Sequence, residues 1–188
     1  MRRMGRSHAP IVVVLDRLIL LLMLAVLAAI LTMATVLQFA FGEIPCPLCL
    51  LQRVAMFGCC FGIIQQLRAE ESERGAGIGM VFALLLLVIA VRQTLLDIVP
   101  RPGHEYVGSA VFGLHMPVWS VVIAVALLLG FAIRFVLFGA PRADDGAPLW
   151  RSTRTLELYV LLICAVNFVA VVLQCGLGEC HTTGYRLL

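Results

Sequence analysis

The sequence predicts an all-α integral membrane bundle of five transmembrane helices, on three observations. Apolar residues make up 62% of the 188-residue chain, well above the roughly 45–50% of soluble domains, and the mean hydropathy is +1.03. These residues gather into five runs long enough to cross a bilayer, which takes about 20 helical residues at about 1.5 Å each. Charged residues are only 13% of the chain and fall mostly between the runs. A net charge of +3, carried entirely by scattered arginines, excludes a nucleic-acid-binding class, which needs a dense basic face.

The runs cover 11–41, 50–67, 78–99, 117–138 and 156–174, within a single multi-pass domain of residues 1–188. The first is the longest, so it is expected to tilt or to begin as an interfacial helix around Asp16-Arg17. Arg2, Arg3 and Arg6 resemble the start of a signal peptide. The run behind them outlasts the roughly 7–15 residues of a cleavable core, and no small-x-small site ends it. A retained span is expected.

Charge orients the bundle. With the amino end inside, segments 1–10, 68–77 and 139–155 carry Arg2, Arg3, Arg6, Arg68, Arg74, Arg142, Arg151 and Arg154. The outer segments 42–49, 100–116 and 175–188 carry only Arg101 and Arg186. The positive-inside rule then predicts a cytoplasmic amino end and an outer carboxyl end. Both closely spaced cysteine pairs, Cys46/Cys49 and Cys175/Cys180, fall on the outer side, where disulfides persist.

Cys46-Pro47-Leu48-Cys49 opens the second span. A C-x-x-C at a helix start suits dithiol–disulfide exchange, because the helix N-terminus favours a thiolate and the spacing lets the sulfurs bond. Pro47 fits the first turn, where its missing N–H has no cost. Arg53 follows Cys49 by four residues and shares its helix face. A guanidinium inside a span costs at least about 2.5 kcal/mol at the bilayer centre. Two readings suit Arg53: snorkelling to headgroups, or a charge that favours the thiolate and holds the oxygen of a polar cofactor. A thiol pair at the apolar edge of a bundle can be reached by a lipid-soluble quinone, whose reduction needs a nearby cation. Arg92 lies at similar depth on the third span and is a second candidate, oriented by Asp97 or Gln93; structural pairing is the other reading.

The run Pro45-Cys46-Pro47-Leu48-Cys49-Leu50-Leu51-Gln52-Arg53 resembles the motif of the DsbB family, the disulfide bond formation proteins B of bacterial inner membranes. The resemblance is strong over about the first hundred residues and weaker beyond. It implies a thiol:quinone oxidoreductase that reoxidises a periplasmic, thioredoxin-fold DsbA-like dithiol and uses ubiquinone or menaquinone. It further implies that Cys49 contacts the quinone, that Cys46 exchanges with a second pair, and that Arg53 is the quinone-site arginine. In family members with four spans that second pair lies between spans three and four. Here the loop from Pro100 to Met116 has no cysteine. The candidate pair is Cys175-Gly-Leu-Gly-Glu-Cys180, beyond an additional fifth span, with glycines that stop the helix and loosen the loop. A structural staple is the other reading of that pair.

Cys59, Cys60 and Cys164 are expected mid-bilayer and behave as small apolar residues. No Cys/His spacing fits a metal site. His104 and His115 suit headgroup-facing positions or proton relay, and Trp119 and Trp150 suit interfacial anchors. Glu70, Glu71, Glu73, Asp144 and Asp145 read as solvated faces. Two rival functions remain: a VKOR-type reductase running the opposite way, and a structural or transport protein with static disulfides or soft-metal ligands.

Overall fold

The computed structural model of the protein describes residues 10–42, 45–68, 72–98, 113, 115–138 and 150–176. Cys180, His104, Glu70, Glu71, Asp144, Asp145 and most of the 100–116 loop lie outside the described residues. Five helices follow in order: α1 Pro10–Ala40, α2 Pro47–Arg68, α3 Ser72–Ile98, α4 Met116–Phe138 and α5 Trp150–Cys175. All five are long and apolar enough to span a membrane, and the described residues contain no strand. Helices α3 and α5 each begin six residues before the runs read from hydropathy. Hydropathy detects the part that suits lipid, whereas backbone hydrogen bonding continues through polar turns such as Ser72-Glu73-Arg74. Glu73 also suits the positive end of the α3 dipole. Helix α5 stops at Gly176, whose φ of 60° needs a residue without Cβ strain and whose N–H caps the Val172 carbonyl at 2.8 Å.

Helices α1 to α4 form a ring in which α2 packs most closely on α3, and α5 lies against α1 and α2. The α2–α3 crossing is set by glycine. A Cβ on Gly62 would come within 2.5 Å of the Gly79 nitrogen and 2.6 Å of the Gly75 carbonyl oxygen. Gly62 thus meets the backbone of Gly75 and Gly79, the close approach that lipid-embedded helices favour, while Gly58 makes room for the Phe82 ring. On α1, Leu20, Leu24, Leu27 and Leu31 are buried at alternating steps of four and three. Val160, Ile163, Asn167, Ala170 and Gln174 repeat the pattern on α5, the spacing of a helix seam that keeps one face on its partner.

The distribution of polarity is inverted relative to a soluble protein. Leu22, Phe39, Val81, Val136 and Leu162 are exposed, while Gln38, Gln52, Arg53, Gln66, Gln93, Arg134, Asn167 and Gln174 are buried. Such a surface is stable facing lipid, and such an interior is stable only if each polar group finds a partner. At the end of the bundle away from Cys46, Arg134 of α4 pairs with Asp16 of α1 through two bonds of 2.6 and 2.9 Å and donates to Gln66 of α2. Arg68 meets Glu157 of α5 at 2.6 Å. The Asp16 carboxylate, where a tilted or interfacial start was expected, points into the bundle and pairs with Arg134.

Candidate active site

Cys46 caps α2. Its carbonyl accepts from the Leu50 N–H at 3.1 Å, and its sulfur accepts from the Cys49 N–H at 3.1 Å, the position a capping oxygen normally takes. Pro47 occupies the first helical position. This geometry brings the two sulfurs together as a Cys46–Cys49 disulfide with a Cα separation of 5.1 Å, within the range a disulfide accepts. Both cysteines are half-buried, with exposed Leu51 and Val54 on the lipid-facing side of the same helix.

Behind the disulfide lies a chain of two amides and a hydroxyl from three helices. Gln93 of α3 donates its Nε2–H to the sulfurs of Cys46 and Cys49, each at 3.4 Å. Gln52 of α2 donates to Gln93 Oε1 at 2.8 Å, and Ser120 of α4 donates to Gln52 Oε1 at 2.8 Å. Gln93 therefore serves the cysteines, rather than orienting Arg92 as the sequence suggested. Arg92 is exposed on α3, about 100° around the helix from Gln93.

Arg53 is 9% exposed, so it does not snorkel to headgroups. Its NH1 donates to Gln38 Oε1 of α1 at 2.6 Å and to Asn167 Oδ1 of α5 at 3.2 Å, and its NH2 donates to the Ala34 carbonyl at 3.1 Å. Asn167 is itself held by Thr35 and by the Ile163 carbonyl, both at 2.8 Å. The fifth helix thus reaches the arginine directly.

It also reaches the cysteine turn. Gln174, fully buried, donates its Nε2–H to the Pro45 carbonyl at 2.7 Å. Its neighbour Cys175 is buried and disulfide-bonded. The last turn of α5 is therefore docked on the residue before Cys46. Cys59, Cys60 and Cys164 are free thiols below the site, and the first two are fully packed. His115 is exposed, and no group of three or more metal-ligating side chains occurs among the described residues.

Gln38, Gln52, Ser120, Asn167 and Gln174 were not distinguished by sequence reading. The available signal was a carboxamide or hydroxyl isolated within an apolar run, since such a group must find a partner in another helix.

Fold and site together define a helical membrane protein with a disulfide at one end of the bundle, cradled by buried polar side chains. Residues 16–105, which include α2, most of α1 and all of α3, match the family of disulfide bond formation protein DsbB. Over 102 residues the chain is 34% identical to disulfide bond formation protein B of Azoarcus sp. (strain BH72), an overlap of 48% of this chain and 60% of that protein. The matched part of the chain, which is similar to that family, contains Cys46, Cys49, Arg53 and Gln93. Helices α4 and α5 and the second cysteine pair lie beyond the family match. No solved structure matches the chain.

Proposed function

We propose that the protein is a membrane thiol oxidase that takes electrons from a periplasmic thioredoxin-fold dithiol and delivers them to a membrane quinone. The observation that carries this reading is the Gln174–Pro45 hydrogen bond, which docks Cys175 beside the Cys46 turn. A static staple at the end of α5 would not need that placement; an electron relay does.

The steps balance as successive disulfide exchanges. A partner thiolate attacks the Cys175–Cys180 disulfide, and resolution of the mixed disulfide leaves the partner oxidised and Cys175 and Cys180 as thiols. One of these, as thiolate, attacks the Cys46 sulfur and displaces Cys49 as a thiolate. The other thiol of the second pair resolves that link, leaving Cys46 and Cys49 reduced. Bound ubiquinone or menaquinone supplies the acceptor for two electrons and two protons, restoring the Cys46–Cys49 disulfide. The site suits such a group: half-buried Cys49 lies beside lipid-exposed Leu51 and Val54, with the Arg53 guanidinium one turn further in. The arginine count of eight against two across the loops supports a bacterial inner-membrane orientation with this end facing the periplasm.

The test uses purified full-length protein, a reduced thioredoxin-fold partner and added quinone. The wild type is expected to reduce quinone and Cys49→Ala to abolish it. Cys180→Ala, which leaves the Cys175 thiolate to attack the intact Cys46–Cys49 disulfide with no second thiol to resolve the link, should accumulate a Cys46–Cys175 disulfide, detected by peptide mass. Quinone reduction that survives Cys49→Ala would overturn the proposal, as would a wild type that reduces none. Static disulfides predict the latter.

A further inference from the structure

Gln93, Gln52 and Ser120 form a line of hydrogen bonds whose direction is set by its sulfur end. Disulfide sulfurs carry no proton and can only accept. The Gln93 atom facing both sulfurs at 3.4 Å is therefore Nε2. That choice turns Gln93 Oε1 toward Gln52, which must present its own Nε2 at 2.8 Å. Gln52 Oε1 then faces Ser120, whose hydroxyl must donate at 2.8 Å. Each hydrogen bond along Ser120, Gln52 and Gln93 is donated toward the cysteines, although the Ser120 hydroxyl also lies 3.3 Å from the Met116 carbonyl of its own helix. Gln52 and Gln93 are 5% and 6% exposed, so water does not compete strongly for these bonds. In such surroundings aligned hydrogen bonds polarise one another and strengthen the terminal donor.

We infer that this Ser120–Gln52–Gln93 chain is a one-way donor relay that stabilises sulfur anions at Cys46 and Cys49 and so raises the oxidising power of the pair. Gln93 is the catalytic member because it touches both reacting sulfurs; Gln52 and Ser120 are positioning residues. Reduction breaks the S–S bond and adds two electrons, taken from a dithiol that becomes a disulfide. The negative charge that then develops on sulfur is bound more strongly by Gln93 than the neutral disulfide was. Stabilising the reduced form favours electron uptake, the direction an oxidase needs. The Cys49 thiolate displaced during exchange with the second pair is bound by the same donor.

The inference rests on Cys46–Cys49 being a working redox pair, and its test is separate from quinone reduction. Full-length protein in detergent is equilibrated with thiol–disulfide buffers of stepped potential, alkylated, and the Cys46–Cys49 peptide quantified by mass. Loss of a charge-assisted hydrogen bond in Gln93→Leu should lower the equilibrium constant for reduction about tenfold, a shift of about 30 mV to more negative potential. Gln52→Leu should lower it about threefold and Ser120→Ala less than about twofold, the effect fading with distance from sulfur. A Gln93→Leu protein that forms the disulfide at the wild-type potential overturns the relay. If Gln93→Leu does not fold, an unchanged potential in Gln52→Leu overturns it equally. A shifted potential in a protein that reduces no quinone would leave the relay standing and remove the quinone reading.

Discussion

Arg53 and Arg134 lie near opposite ends of the same bundle, both almost fully buried and both bonded to a glutamine of a neighbouring helix. Arg134 also meets the Asp16 carboxylate through two bonds of 2.6 and 2.9 Å. The bonds described for Arg53 go to neutral oxygens of Gln38, Asn167 and Ala34. A carboxylate cancels a guanidinium charge where it stands, so the Arg134 site ties α1 to α4. An amide satisfies an N–H without cancelling the charge. The comparison sets an arginine that ties two helices through an ion pair at one end against an arginine that gathers amide and carbonyl oxygens of α1 and α5 near the cysteine turn at the other.

The largest expected effect is on stability, at the ion pair. Arg134→Leu strands the Asp16 carboxylate in a dry interior and should destabilise the protein by about 3–5 kcal/mol, read from thermal unfolding in detergent. Combining it with Asp16→Leu should recover most of that loss, because no charge is left unpaired. Quinone reduction per folded molecule should stay within about twofold of wild type in the double variant, since neither residue approaches the transferring sulfurs. A double variant as unstable as the single one would mean that Asp16 and Arg134 do not act as a pair.

At the other end the expected effect is on activity. Arg53→Leu should lower kcat/KM for quinone about a hundredfold, the usual cost of losing a preorganised group that stabilises developing negative charge. Full activity in Arg53→Leu would place this arginine with Arg134 as a packing element and erase the contrast.

The smallest effect sharpens the role of the fifth helix. Asn167→Leu removes the α5 acceptor of Arg53 and should raise the quinone KM about fivefold, equivalent to about 1 kcal/mol, with little change in kcat. Glu157→Gln, on the same helix but at the opposite end beside partly exposed Arg68, should leave both constants near wild type. Equal behaviour of the two variants would reduce α5 to a strut.

Five helices follow from hydropathy, because a bilayer demands about 20 apolar helical residues per crossing whatever surrounds them. Cys46, Pro47 and Cys49 announce a capped redox turn, because the cap, the proline and the sulfur spacing are all local to one helical turn. Gly62, Gly75 and Gly79 meet at the α2–α3 crossing, and nothing local in the sequence says that they do. Arg92 and Gln93 show where local reading ends. They are adjacent in sequence, yet only Gln93 reaches the sulfurs, because the rotation of α3 is set by its glycine crossing with α2.

By itself, then, the sequence determined the membrane bundle and the Cys46–Cys49 turn, whose physics is short-range. Only the tertiary structure decided which polar groups meet: Gln93 with the sulfurs, Asn167 with Arg53, and Gln174 with Pro45. Their partners come from other parts of the chain, up to 129 residues away, and depend on how each helix is turned about its axis. A buried amide announces that it needs a partner. Which partner it finds is a property of the packed bundle.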